Sequence, residues 1–361
     1  FTKVSRRAYL QKTKEFKNYK MPIWSICLNK ECTTLMVATK SGLIPIQNPI
    51  NIETEPEEED NESLLINFVD NANINDTILK EEEEANELQD ELQDESYTKI
   101  QYYESDFPRY LSPHPNENYV LVGGTKGNVY ICGFDNITRQ HHYDIPNNAE
   151  CNGVEFSDDG SSFAALNGRY VSLFNTERKR PFTNFDTFSD KVTGIKFFMG
   201  TGKFLTQQIE SSECKANICV WDSLLPNYCA MVSSLKLSQK YGHPQCMSYS
   251  PKFSQIYVGT THGSLITIDT RQFEIVSQWK VYDSKKCSVM SIDIDEKRGL
   301  LSTGTSTGTL KLWNIETSQI LSRHKGHKSR KGSITKIIMQ NDTIFTSSID
   351  GFIYRIPINF A

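Results

Sequence analysis

The stretch LSTGTSTGTLKLWN, residues 301–314, decides the fold. An apolar start runs into small residues and a short polar turn closed by Gly308, and apolar residues then alternate at Leu310 and Leu312. This is the pattern of a β-hairpin. Glycine supplies the positive φ that a tight turn demands, and the alternation buries one face of the strand that follows.

The same plan recurs along the chain, in LVGGTKGNVYICGFD (121–135) and YVGTTHGSLITID (257–269). MVATKSGLIPIQ (36–47) and FTSSIDGFIYRI (345–356) fit it too, and FAALNGRYVSLFN (163–175) fits with its later apolar positions displaced by one. Four residues before each turn glycine stands a small residue: Ala38, Gly123, Ala164, Gly259, Gly304 and Ser347. Small side chains at one register imply that neighbouring sheets approach closely there.

Turn glycines fall at 42, 127, 168, 263, 308 and 351, and Asn217 is expected to hold the equivalent turn in KANICVWD. From Gly127 onward the spacing is 41–49 residues, and each hairpin is preceded by one further strand. A period of this length with four strands is the blade of a WD-repeat β-propeller.

Between Gly42 and Gly127 the gap is 85 residues, but residues 51–96 have a composition of their own. They hold 18 acidic residues and one basic residue, Lys80, and no glycine at all. Like charges at this density repel and favour a solvated, extended chain. Read as a disordered insertion of 46 residues, this segment leaves an ordinary repeat of 39. The remaining 315 residues then divide into seven blades of about 45 each.

The fold expected is therefore all-β: one seven-bladed propeller over 1–361 with the acidic disordered insertion at 51–96. Its blades should lie roughly at 21–50 plus 97–105, 106–145, 150–185, 190–235, 243–282, 287–322 and 332–357. After FIYRIPINFA no room remains for an outer strand. The N-terminal strand at 12–20 is expected to supply it, because an open ring would expose edge strands.

Outside the insertion the chain carries 38 basic and 26 acidic residues, so a mildly acidic total of −5 conceals a basic globule. No apolar run is long enough to cross a membrane as a helix, and the N-terminal residues lack the apolar core of a signal peptide. The chain begins at Phe1 rather than Met, which suggests a piece of a longer protein. Nine cysteines scattered through apolar runs read as buried thiols in a reducing, cytoplasmic setting.

Several motifs invite chemistry and are outweighed. Cys214, Cys219 and Cys229 have no CxxC pair or nearby histidine, so a structural zinc site is not expected. GGTKGN resembles a phosphate loop, but a strand follows it rather than a helix. Trp221-Asp222 recurs in kind at Trp313-Asn314 and Phe174-Asn175, marking strand ends that plug the space between blades. No nucleophile–base–orienter set emerges, so no catalytic, metal or cofactor residue is assigned and an enzyme is not expected. The run RHKGHKSRK (323–331), between the last two blades, is the candidate interaction patch: Arg323, Lys325, His327, Lys328, Arg330 and Lys331. Its chemistry suits an acidic protein or an anionic headgroup. It lacks aromatics for base stacking, which makes nucleic acid an unlikely partner.

The run KANICVWDSLLP resembles blade four of the C-terminal propeller of the rabconnectin (DmX-like) family. MSYSPKFSQIYVGTTHGSLITIDTRQ and VMSIDIDEKRGLLSTGTSTGTLKLWNIET resemble the blades that follow, and SRHKGHKSRKGSITKI the basic link to a short last blade, TIFTSSIDGFIYRI. MPIWSICLNKECTTLMVATKSGLIPI resembles that propeller's opening blade, which also precedes a long variable insertion. The extreme acidity of 51–96 departs from the pattern. The resemblance implies a non-enzymatic scaffold within a very long protein peripheral to endomembranes. Such scaffolds bind vacuolar proton-pumping ATPase subunits and promote assembly of the pump, and with it organelle acidification. It carries no catalytic residues. The alternative is a generic WD-repeat scaffold of an RNA-processing or other multiprotein complex.

Overall fold

The computed structural model describes residues 8–10, 14–50, 106–135, 139–145, 150–198, 200–210, 215–282, 287–325, 327 and 332–360. The acidic segment 51–96 and the outer strand expected at 97–105 lie outside the described residues.

The fold is a seven-bladed β-propeller, nearly all of it β-strand. In chain order the innermost strands are Ile23–Leu28, Pro108–Pro113, Cys151–Phe156, Lys191–Phe197, Pro244–Ser250, Val289–Asp295 and Ile334–Gln340. Each touches the next, and the seventh touches the first, so they close a ring around a central channel. Blades two to six each run outward through four antiparallel strands, and three strands of blade one are described.

Blade seven is built from both ends of the chain. Its third strand, Phe352–Phe360, pairs with Lys14–Asn18 along one half and with Ala8–Leu10 along the other. Leu10 N–H also donates to Ser322 Oγ at 3.3 Å on the outer strand of blade six. The edge that Phe352–Phe360 would otherwise expose is thereby covered.

The apolar core is distributed. Seven clusters lie between consecutive blades, beginning with Met36, Val120 and Tyr130 between blades one and two. The seventh joins Phe345 and Ile353 of the last blade to Ile26 and Val37 of the first. Each blade is therefore stabilised mainly by its neighbours rather than by a common centre.

Every innermost strand carries a bulge near its start, and in five of the seven blades the residue after the bulge faces a small residue of the next strand. Ser25 opposes Ala38, Tyr110 opposes Gly123, Cys246 opposes Gly259, Ser291 opposes Gly304 and Lys336 opposes Ser347. The reason for smallness is visible. A Cβ on Gly259 would lie 2.7 Å from Val289 Cγ1, and one on Gly304 2.7 Å from Ile334 Cγ2, both in the following blade.

Two turn readings need correction. The blade-three hairpin closes in two residues, with Asn167 paired to Tyr170, so Ala164 sits opposite Glu155 and outside the close-approach register. Gly153 on the innermost strand takes over, opposite Leu166. In blade four, Asn217 is not in the turn. It pairs with Gln208 inside the strand Lys215–Asp222, because this blade's central strands are eight residues long and their pairing runs on to Glu210 and Lys215.

Candidate interaction surfaces

The basic run divides once folded. Arg323 and Lys325 lie on the outer strand Gln319–Lys325 of blade six, exposed on its solvent side, rather than in a loop. Arg323 places its guanidinium 6.0 Å from the Tyr282 ring centre. Lys328, Arg330 and Lys331 lie outside the described residues.

His327 does not belong to an exposed patch: it is only 2% exposed. Its Nε2 lies 3.1 Å from Thr346 Oγ1 and its Nδ1 3.4 Å from Asp350 Oδ1, and its ring meets Tyr354 edge-on at 4.6 Å. It links the turn of blade six to that of blade seven. A neutral ring with its proton on Nδ1 faces the carboxylate and leaves Nε2 to accept from Thr346. Burial pushes its pKa down to about 4; Asp350 opposes the shift and His324 adds to it.

Asp106, unremarked in the sequence, performs the corresponding task in blade two. This buried carboxylate accepts from Lys126 N–H at 2.7 Å, Thr125 Oγ1 at 3.1 Å and the Asn128 amide, holding the hairpin turn from below.

Of the three cysteines in the blade-four stretch, Cys219 is buried and donates to Ser234 Oγ at 3.4 Å. Cys229 is exposed beside Pro226 O, and Cys214 lies outside the described residues. Among the described residues no group of three or more His, Cys, Asp and Glu is placed to hold a metal ion.

The central channel is lined in tiers that follow from the seven bulges. At the face where the innermost strands begin, the bulge residues Trp24, Arg109, Asn152, Thr193, Gln245, Met290 and Thr335 surround a cavity of about 250 Å³. Arg109 stacks its guanidinium 5.6 Å from the Trp24 ring centre and 5.7 Å from that of Tyr110. Deeper lie Glu155, Lys196, Asp293 and Lys336, which also line a second cavity of about 460 Å³ toward the opposite face.

These four charges are not equivalent. Lys196 forms an ion pair with Glu155. Burial alone would lower the Lys196 pKa, but Glu155, with Asp293 and Asp158, outweighs it and the pKa is raised. Asp293 accepts Met339 N–H at 2.6 Å, and burial raises its pKa against the pull of Lys336 and Lys196. The Lys336 pKa is lowered by burial and by Lys196, with partial relief from Glu155 and Asp293. No cation in this tier was identified from sequence. The usable signal was a charge flanked by apolar residues inside a first strand, as in VEF, IKF and IDI.

A third surface lies on the rim between blades three and four. Leu224 is 81% exposed and Tyr228 90%, with Leu225, Met231 and Val232 also outward-facing. They follow Trp221-Asp222 through a short 3₁₀ turn at Asn227–Cys229 into the outer strand. Asn227 ties the turn to blade three through Thr183 Oγ1 at 2.9 Å and Asn184 O at 2.9 Å, beside exposed Phe182. Arg178, Lys179 and Arg180 stand exposed on the adjoining loop. These exposed apolar residues, with cations on the adjoining loop, make this rim a candidate binding surface.

Compared with known proteins, the chain is similar to DmX-like protein 1 of Mus musculus, 22% identical over 261 residues. That alignment takes in 67% of this chain and 8% of the relative. DmX-like protein 1 of Homo sapiens is 20% identical over 261 residues, again 67% of this chain and 8% of the relative. Cilia- and flagella-associated protein 57 of Mus musculus is 21% identical over 279 residues, 74% of this chain and 19% of that protein. No protein-family model matches the chain. The chain thus spans less than a tenth of the DmX-like relatives it matches. Their likeness agrees with the one carried by KANICVWDSLLP and the blades around it: this seven-bladed ring resembles a propeller of the rabconnectin (DmX-like) family.

Proposed function

We propose that this propeller is a protein-interaction scaffold of the vacuolar proton-pump assembly machinery, working from the cytoplasmic side of endomembranes as part of a longer protein. A closed ring of rigid blades offers a fixed surface and needs no chemistry of its own. The DmX-like relatives support the scaffold reading, and the rabconnectin resemblance supplies the link to pump assembly and organelle acidification. No helix among the described residues is long and apolar enough to cross a membrane.

The observation that carries the reading is the rim patch. Leu224 and Leu225 belong to the very run, KANICVWDSLLP, that resembles the family, and both are exposed rather than packed between blades. Apolar residues at that level of exposure cost solubility unless a partner covers them. With Arg178, Lys179 and Arg180 beside them, they suit a partner segment that is apolar at its centre and acidic at its margins. Arg323 and Lys325 with Lys328, Arg330 and Lys331 form a second basic contact in this proposal.

The test is affinity purification from native cells with the tagged full-length protein, followed by quantification of proton-pump subunits. Leu224→Asp with Tyr228→Asp should reduce their recovery at least about tenfold, as loss of a central anchor does, with the thermal midpoint unchanged. Absence of pump subunits from the wild-type eluate would overturn the assignment.

A further inference from the structure

The mouth and the middle of the channel hold two cations that make no direct ion pair among the described residues, although Glu155 and Asp293 act on Lys336 through space. Arg109 has no hydrogen bond or ion pair among the described residues, only the faces of Trp24 and Tyr110. Lys336 Nζ likewise has none, whereas Lys196 beside it is paired to Glu155 and Asp293 is held by Met339 N–H. Both unpartnered cations line the same 250 Å³ cavity, which opens on the hairpin-turn face. A half-buried ammonium with no direct hydrogen-bond or ion-pair partner is disfavoured, in line with the lowering of its pKa by burial and by Lys196.

The rest of the lining is that of a site for a peptide rather than for a small polyanion. Trp24 and Met290 offer apolar contact, Asn152 and Gln245 offer side-chain amides that can pair with a backbone, and Thr193 Oγ1 has no hydrogen-bond partner. Glu155 and Asp293 line the same space and disfavour a compact polyanion that would bring several negative charges into the ring together, whereas an extended peptide can leave its other carboxylates outside. A single carboxylate that reaches Lys336 while the peptide bearing it passes Arg109 satisfies both cations.

We infer that the channel mouth is a docking site for an acidic peptide segment, one of whose carboxylates enters the ring to pair with Lys336 while Arg109 and Trp24 clamp the chain at the rim. This site is separate from the patch between blades three and four. It rests on the reading of the propeller as a scaffold, but its test is independent of which complex that scaffold serves.

The probe is a fluorescein-labelled, end-capped hexapeptide alternating Glu with Ala and Leu, titrated against the purified 361-residue chain by fluorescence anisotropy. Its counterpart carries Gln for every Glu. The Glu peptide should bind at least about tenfold tighter than the Gln peptide, the size expected of a charge-assisted hydrogen bond. Arg109→Ala and Lys336→Gln should each remove most of that preference, and Leu224→Asp should leave it intact. Bound peptide should also protect Lys336 from an amine-acylating reagent, read by mass spectrometry, a measurement on the wild-type chain that decides the matter if Lys336→Gln does not fold. Equal affinity for the two peptides, wild-type binding by both channel variants, or unprotected Lys336 would overturn the site. Inositol hexakisphosphate displacing the peptide at equimolar concentration, through Lys336, would overturn it in favour of a phosphate ligand. Recovery of pump subunits together with failure of the peptide would dismiss the channel site and leave the scaffold reading standing.

Discussion

The indole N–H of Trp221 donates to Thr206 Oγ1 at 2.9 Å, and that of Trp313 to Thr303 Oγ1 at 3.0 Å. In both blades the threonine lies on the adjacent strand, two residues beyond the tryptophan's paired residue. The plug between blades is thus also a polar contact, and all four side chains are buried. Thr303→Val keeps the shape but leaves the indole unsatisfied. It should cost about 1–3 kcal/mol in denaturant unfolding, and no change would mean that the N–H finds another acceptor. His327 makes a second prediction with a definite sign. Its pKa is about 4 when folded and about 6.5 in the unfolded chain. Its contribution is therefore complete above about pH 6.5 and is lost as pH falls toward 4, where the unfolded chain binds the proton and the native one does not. Thermal midpoints measured across that window should decline more steeply for the wild type than for His327→Gln. Parallel slopes would contradict the buried, neutral imidazole.

Between single residues and the ring, the bulge on each innermost strand sets the geometry. It brings the following residue into a pair of which at least one member is small, and lets the next blade approach to contact. Gly304→Ala should cost about 1–3 kcal/mol by overpacking against Ile334 and Ile337, and an unchanged denaturation midpoint would mean the blades do not close there. Hairpins of this kind were legible because turn glycine and alternation sit at fixed offsets. In blade four the sequence reading fails at Asn217 because the two central strands are longer than in the other blades and carry Asn217 into their pairing, and no glycine marks the change. His327 was misread for a different reason: a run of cations looks like solvated loop, whereas a histidine enclosed by Gly308, Gly332 and the next blade's turn is a prop. The mouth of the channel is hidden because a bulge shifts which residues face inward, and of the deeper lining only the single charges in VEF, IKF and IDI leave a mark in the sequence. The N-terminal strands carry a further prediction. Removing residues 1–18 uncovers Phe352–Phe360, so the truncated chain should associate with increasing concentration in light scattering, where the intact chain stays monodisperse.

At the scale of the whole molecule the charges are divided along the sequence rather than mixed. Residues 51–96 carry −17 in net charge and the remainder +12, and the acidic segment leaves the ring between the third strand of blade one and the start of blade two. Among the described residues the first and second innermost strands already pack on each other, with Cys27 and Leu111 in one apolar cluster. Deleting 51–96 should therefore leave the thermal midpoint almost unchanged while reversing the protein's net charge from −5 to +12. The field felt by an approaching acidic partner changes sign with it. Such fields reach about 30 Å at 0.01 M salt and about 3 Å at 1 M. At low salt the deletion should strengthen binding of the Glu peptide, chiefly through faster association, and at high salt the two proteins should converge. Equal affinity at low salt would mean that the acidic segment stays too far from the ring to screen it. A fall in midpoint would mean that it contributes to the blades.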